Sequence, residues 1–583
     1  MIVTLGDAII FVVFLAVVIG ISLYASRGEK AGGEAYFLAG RRLVWPLIGF
    51  SLIASNISTE HFVGMAGDGF GERGLAVASF EWIAAVALVV MAWWLLPKFL
   101  QAGIYTMPQY LEYRYDSLTR TLMAVVLTLL TIFALLVTVL YSGSRGLDGV
   151  FGFSDMAVEH FGLSRDAAVF WTTWAGAWFI GICAAAYTVY GGLRAVVWSD
   201  LLQGGALLLG GAVVLYLGLK IVGGGEVTEF GVEGGSVMEG WRTFTAENED
   251  RLSVGLPADD PVLPWTALFT GMLIPNIFYW GMNQFIVQRT LGAKSLAEGQ
   301  KGIFLACAFK LIMPFIIIVP GIIAFQLYGD TILERAGGDM GRAGELAYPH
   351  LIAQIMPPLL RGVMLAALGG AVMSTFNSGI NSAATMYTVD IHNTFVNKNT
   401  TGRQEVFIGR TATALIALVA CIMAPLPGLF EGVFHYIQEI WGFISPAVVT
   451  AFIVGLVVPR APALAGRVAL ILGPLLYALF RVPGWVMSGL GYGMEDGAVV
   501  RDTEAVSGAA ETLFRFFTLP YLHHMFITFL VLAAIMGVIT WRNPLSEPRT
   551  MPVSNIDVHP HPLRYVYGGL ILAAVLALYI IFW

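Results

Sequence analysis

The sequence predicts an all-α polytopic membrane protein, and three observations carry that reading. Of 583 residues, 57% are hydrophobic and only 12% are charged, about half the charged share usual in soluble domains. Apolar runs long enough to cross a bilayer recur along the chain. The longest polar segment between them is a loop of about forty residues, too short for a separate soluble domain.

Composition also narrows the function classes. A net charge of -7 and the lack of a long basic run argue against nucleic-acid partners. Cys183, Cys307 and Cys421 all lie within apolar runs, which suggests neither a disulfide framework nor a metal cluster.

The first run, MIVTLGDAIIFVVFLAVVIGISLY, lacks a cationic leader and is long enough to span, so it reads as a retained helix and not a signal peptide. Further runs begin near Leu43, Ala76, Leu122, Ala168, Val196, Pro264, Ile303, Leu359, Phe407, Val433, Ala463, Tyr521 and Val566, for a total of about fourteen spans. If the spans alternate, Arg27, Lys30, Arg41, Arg42, Lys98, Arg114, Arg120, Arg289, Lys294, Lys301, Lys398, Arg403 and Arg410 share one side. The positive-inside rule makes that side the cytoplasm. The opposite loops are acidic, above all 226–260 with Glu226, Glu229, Glu233, Glu239, Glu247, Glu249, Asp250 and Asp259, which puts both termini outside.

Polar clusters within the spans are the functional signal, because a polar group in lipid must line a cavity, find a partner or break a helix usefully. The stretch SNISTEH, residues 55–61, is one cluster. A second opens the seventh span, LIPNIFYWGMNQFIVQRT, where Pro275 removes a backbone donor and Asn276, Tyr279, Asn283 and Gln284 follow. Two polar-interrupted helices five spans apart are what an inverted repeat of five helices places in equivalent positions, and they point to a midplane binding site in a secondary transporter.

Other intramembrane groups have a plain alternative beside the functional one. Glu81 lies near the start of its span, where a carboxylate can reach the headgroups; Lys310 lies some seven residues inside its span by the hydropathy boundary, too deep to snorkel easily, so it needs a partner. Asp200 could be a helix-start carboxylate, and Gln438 and Glu439 could simply bond between helices. Ser374 and Thr375, beside small residues, suit a tight helix crossing equally. Paired with carbonyls freed by a broken SNIS turn, their hydroxyls suit a hard cation such as sodium, which takes oxygen ligands.

The chain resembles the solute:sodium symporter family, close to its sodium/glucose and sodium/galactose cotransporters, through YFLAGRRLVWPLIGFSLIASNIS, EHFVGMAG, ASFEWIAA, GIYTMPQYLEYR, YGGLRAVVWSDLLQ, NIFYWGMNQFIVQRTLGAKSLAEGQKGI, NSAATMYTVDI and FHYIQEIWGFISPAV. The resemblance implies a leucine-transporter-type 5+5 inverted repeat in one membrane domain. An extra helix occupies 1–30, the repeats 43–222 and 262–458, and extra C-terminal helices 460–583. It implies a neutral-sugar site of Asn56, His61, Glu81, Asn276, Lys310 and Gln438, an inner gate at Tyr279, and an outer apolar lid of Met65, Phe80 and Phe434. Co-transported sodium would be held by backbone oxygens of Ala54, Ile57 and Ala371 with the hydroxyls of Ser374 and Thr375, and Asp200 resembles an acidic residue on the ion's exit path.

Three departures stand out. Phe80 replaces a tyrosine of the bacterial galactose symporter and His61 replaces its glutamine, matching the animal glucose cotransporters. Asn377 stands where some two-sodium members have threonine. The expected function is sodium-coupled import of a glucose- or galactose-like hexose by alternating access, in a bacterial inner membrane. Symport of another small polar solute such as inositol or sialic acid is the nearest alternative. A sugar-gated sensor or leak channel is a more distant one, and an enzyme is least expected, since no nucleophile and base pair stands out.

Overall fold

Helix starts are encoded locally. Helix α1 (Leu5–Ala25) opens on a capping box: the Thr4 side chain accepts from the Asp7 N–H, and the Asp7 carboxylate accepts from the Thr4 N–H at 2.9 Å. The same Asp7, wholly buried, accepts from Arg361 at 3.0 Å and from the Gly362 N–H at 3.1 Å, which docks this extra helix onto a distant segment. These features come from a computed structural model that describes residues 4–27, 32–58, 60–228, 231–429, 433–495, 498–501 and 504–583.

Among the described residues, 11 helices are long and apolar enough to cross a membrane. They include α1, Gly74–Ala102, Ser117–Gly149, Arg165–Val222, Leu296–Arg335, Leu360–Val396 and Gly402–Met423. The chain is therefore a multi-pass membrane protein, as its composition requires. The 58 residues of Arg165–Val222 would measure about 87 Å as one straight helix, far beyond the roughly 30 Å hydrocarbon core. Gly192 breaks it: φ 54 and ψ -148 are open to glycine, and a Cβ there would lie 2.3 Å from the Tyr36 carbonyl oxygen.

The segments that position the site can now be labelled in chain order. Helix α2 is Trp45–Asn56, and α3 is a wide π-type turn over Glu60–Met65 that continues as Ala66–Phe70. After α4 (Gly74–Ala102), α5 (Ser117–Gly149) and the kinked α6 (Arg165–Val222), the chain forms α7 (Leu273–Gly281) and α8 (Gln284–Leu291). Then come α9 (Leu296–Arg335), α10 (Met340–Ile355), α11 (Leu360–Met386, prolonged as a π-type stretch to Val396), α12 (Gly402–Met423), α13 (Val433–Gly442) and α14 (Ser445–Val457). Helices α15 (Ala463–Gly489), α16 (Tyr521–Arg542) and α17 (Arg564–Phe582) close the chain. The acidic loop after α6 is structured: β1 (Gly225–Thr228) pairs antiparallel with β2 (Gly231–Gly234), the helix Val237–Glu247 follows, and the Val254 N–H donates to the Phe582 carbonyl at 2.7 Å.

Several arginines counted above as loop charges are buried anchors instead. Arg114, 3% exposed, donates to the carbonyls of Gly455 at 2.6 Å and Ala461 at 3.1 Å, so it caps the end of α14. Arg120 pairs with buried Asp390 at 2.7 Å and with Glu112 at 2.6 Å.

Small residues set the closest helix approaches, as expected where lipid supplies no hydrophobic drive between helices. Helix α9 packs along both α2 and α3: a Cβ on Gly302 would meet Ile48 at 2.7 Å, and one on Gly321 would come within 2.0 Å of the Ala66 carbonyl oxygen. Overpacking of this kind costs about 1–3 kcal/mol. Gly321→Ala is expected to lower the melting temperature of the purified protein by several degrees, while Gly205→Ala, where nothing lies within 4 Å, leaves it in place; equal melting of the two would show that α9 and α3 have room to part.

Candidate functional site

Two helix interruptions build the site. At the first, the Ile57 N–H makes the last bond back into α2, to the Ile53 carbonyl at 2.9 Å, and Ile57 itself is extended at φ -83 and ψ 117. The carbonyls after Ile53 leave the helical ladder there, and the Thr375 hydroxyl donates to one of them, that of Ser55, at 3.0 Å. At the second, the N–H groups of Met282 and Asn283 both donate to the Phe278 carbonyl at 2.9 Å, and the Asn283 side chain caps α8 by accepting from the Phe285 N–H at 3.2 Å. Pro275, noted in the sequence for its missing backbone donor, does not make this break. Pro275 instead lies buried in the first turn of α7, where a missing N–H removes no helical bond.

Between the two breaks lies a cavity of about 70 Å³, room for a few waters. It is lined by Asn56, His61, Glu81, Asn276, Lys310 and Gln438 together with Tyr279, Met65 and Phe80. These segments, far apart in the chain, come together around one cavity; the Phe434 side chain lies outside the described residues. Lys310 stands deeper in its helix than hydropathy suggested, because α9 begins at Leu296. Its ammonium, fully buried, donates to Glu81 Oε2 at 2.6 Å and to Asn56 Oδ1, and lies 4.9 Å from the Trp280 ring centre. His61 Nε2 is 3.7 Å from Glu81 Oε1, and the Asn56 amide donates to the Tyr279 hydroxyl at 3.3 Å. The Asn276 amide donates back to the Met272 carbonyl at 2.9 Å. Gln438 faces the cavity, whereas neighbouring Glu439 pairs with Arg481 of α15.

Sequence reasoning missed Glu60, Trp280 and Trp441 as cavity walls. Adjacency to Asn56 and Tyr279 in the two interrupted stretches was the available signal for Glu60 and Trp280; Trp441 carried none, being one aromatic among many. Glu60 also lines a wider cavity of about 720 Å³ between α3, α5, α10 and the loop around Pro257.

The hydroxyl pair meets the first break from α11. Ser374 donates to Asp200 Oδ1 at 2.6 Å, and the same carboxylate accepts from Ser55 at 3.2 Å and from Ser51. Ala54, Ile57 and Ala371 are each 1% exposed, Ala371 one turn before the pair. Asp200, expected on an exit path, is thus bonded directly to one of the hydroxyls. Neutral oxygens in this number, released from a helical ladder, suit a hard monovalent cation and bring in no net charge of their own.

A buried polar cavity at the meeting of two interrupted helices, inside a multi-pass bundle, is the architecture of a membrane solute transporter. The chain belongs to the sodium:solute symporter family, whose profile it matches over residues 36–473. It is 36% identical over 492 residues to the sodium/glucose cotransporter of Vibrio parahaemolyticus, covering 81% of this chain and 84% of the relative. It is 33% identical to sodium/glucose cotransporter 2 of Rattus norvegicus, covering 82% and 71%, and 30% identical to sodium/myo-inositol cotransporter 2 of Oryctolagus cuniculus, covering 81% and 69%. Its fold is similar to a solved substrate-bound, outward-open sodium-coupled sialic acid symporter, with a TM-score of 0.72, 19% identity, and coverage of 94% of this chain and 99% of the other. The protein is a sodium-coupled transporter and not an enzyme.

Breaking a buried ion pair from one side leaves a charge stranded and costs about 3–5 kcal/mol. Lys310→Met alone is therefore expected to lower the melting temperature markedly, and Lys310→Met combined with Glu81→Gln to recover most of the loss. A double variant no more stable than the single would show that the pair is not what holds α4 to α9.

Proposed function

We propose that this protein imports a neutral hexose together with sodium by alternating access, through fourteen spans arranged as two inverted five-helix repeats, 43–222 and 262–458. The added spans beyond the long helices are the interrupted pair α2–α3, the interrupted pair α7–α8, and the second arm of α6 past Gly192. The acidic loop after α6 faces outward, and both termini lie on that side.

The observation that carries the reading is that one broken helix serves both cargoes. Asn56 and His61 line the polar cavity, while the Ser55 carbonyl, freed at the same break, accepts from the Thr375 hydroxyl at 3.0 Å; the carbonyls of Ala54 and Ile57 would complete the cation's ligands. A hexose offers uncharged hydroxyls, each needing a donor or an acceptor, and amides, an imidazole and a Glu–Lys pair supply both. Lys310 is already matched to Glu81 at 2.6 Å, so among the described residues lining the cavity no lysine or arginine is left over for a carboxylated solute such as sialic acid. Myo-inositol is a neutral polyol and stays the second reading, supported by the inositol cotransporter among the relatives. Tyr279 closes the cavity from the side of the second break, and Met65 and Phe80 form its outer apolar lid.

Sodium ordering the turn favours the sugar-binding geometry, and by linkage the sugar tightens sodium by the same factor. Each ion entering with the potential adds about 2.3 kcal/mol per 100 mV. In the contracted cavity Asn56, Lys310 and Glu81 satisfy one another, and sugar hydroxyls replace some of those bonds when the outer side opens.

Reconstituted into liposomes, the protein is expected to accumulate labelled glucose or galactose under an inward sodium gradient and to ignore an imposed pH gradient, since hydroxyls and carbonyls exchange no proton near neutrality. Ser374→Ala raises the sodium concentration needed for half-maximal uptake. Uptake that follows protons without sodium would refute this site.

His61 is expected to set sugar preference. A neutral imidazole is shorter and more rigid than glutamine and presents one donor and one acceptor. A misplaced bond to an uncharged hydroxyl costs about 0.5–1.5 kcal/mol, so His61→Gln should keep sodium-dependent uptake and change the glucose-to-galactose ratio several-fold in competition assays. An unchanged ratio with altered sodium dependence would assign His61 to the cation side.

A further inference from the structure

Arg289 is 1% exposed on α8, deep beneath the cation side of the site. Its Nε donates to Ser51 Oγ at 2.9 Å and Nη2 to Ser378 Oγ at 2.5 Å, while Nη1 is held by the carbonyls of Ile286 at 3.3 Å and Phe285. Ser51 in turn donates to Asp200, and Ser374 donates to the same carboxylate at 2.6 Å. One hydroxyl separates the guanidinium from the carboxylate, and another separates the carboxylate from the cation position. Ser55 and Ser378, 2.8 Å apart, close the ring. The network joins α2, α6, α8 and α11, and so ties one half of each interrupted helix, α2 and α8, to the hydroxyl pair.

We propose that Arg289 is a positioning residue that sets how tightly sodium is held and how readily it leaves. The proposal rests on the sodium site described under Proposed function. A guanidinium keeps its proton throughout the cycle, so the charge opposite Asp200 is permanent. In a low-dielectric interior an unopposed carboxylate one hydroxyl from the ion would hold it strongly. With Arg289 opposing it, Asp200 still orients the Ser374 hydroxyl, as an outer-shell carboxylate orients a ligand, and the ion enters and leaves a site of near-zero net charge. The serine bridges let the opposition act without a direct Arg–Asp contact that would have to break in each cycle.

The test is radiolabelled-sodium binding and release on the purified full-length protein, which needs no knowledge of the solute. Arg289→Gln is expected to lower the half-saturating sodium concentration several-fold and to slow sodium dissociation, Arg289→Lys to return both towards wild type, and Asp200→Asn to raise the half-saturating concentration. Asp200→Asn combined with Arg289→Gln should bind sodium more nearly as wild type does than either single variant. A residue that only braces the fold would weaken binding or leave it unchanged in Arg289→Gln, and that result overturns the proposal, as does a double variant indistinguishable from Asp200→Asn. If Arg289→Gln is not recovered folded, the comparison of Asp200→Asn with the double variant and with Arg289→Lys decides by the same criteria. Wild-type protein that binds no sodium would overturn the sodium site itself, an outcome distinct from either.

Discussion

Hydrocarbon surrounds the place where this protein needs polar chemistry, and the rest of the architecture answers that constraint. A helix crossing lipid satisfies its own backbone, and interrupting it frees groups that hydrocarbon cannot solvate. Residues next to the interruptions at Ile57 and at Met282–Asn283 line one cavity, Asn56 and His61 from the first and Phe278, Tyr279 and Trp280 from the second. Thr375 takes the Ser55 carbonyl and the Asn283 side chain caps the restarted helix, so each break is repaired partly by a side chain, and Thr375 also lines the cavity.

Charge is managed in the same way. Lys310 with Glu81 on the solute side, and Arg289 with Asp200 through Ser51 on the cation side, place two buried cations beside two buried anions. Neither side carries a large net charge, which suits uncharged and monovalent cargoes whose binding has to be reversible. In the proposed cycle the solute displaces bonds that Asn56, Lys310 and Glu81 make with one another, so hydrogen bonds are exchanged and the net affinity stays modest.

Helix α9 is the common brace. It carries Lys310, lies along α2 at Gly302 and along α3 at Gly321, and remains helical through Pro314 and Pro320. The tight glycine contacts bind α9 to both sides of the first break, so a movement of α3 that opens the wider cavity has to pass through them. The α10 segment meets α3 as closely, at Gly67 and Gly344. In the proposed cycle the two cargoes are coupled through Ser55 and Asn56: Asn56 lines the cavity, while Ser55 accepts from Thr375 at its carbonyl and donates to Asp200 from its hydroxyl.

The sequence by itself determined the solvent, the membrane-spanning character and the family, because hydropathy is summed along the chain and the family motifs are contiguous. It also picked out Asn56, His61, Glu81, Asn276, Lys310 and Gln438, which line the cavity, since a polar residue inside an apolar run stands out where it occurs, but it missed Glu60, Trp280 and Trp441. It left the second helix break unplaced within LIPNIFYWGMNQFIVQRT, where Met282 and Asn283 make it. It also counted Arg289, Arg114 and Arg120 among loop charges. Only the tertiary structure decided those points. An arginine is tolerated in the interior when acceptors surround it, and those of Arg289 come from Ser51, Ser378 and its own helix, with Asp200 one hydroxyl further on. No local property of QFIVQRT records partners that packing brings from three other helices.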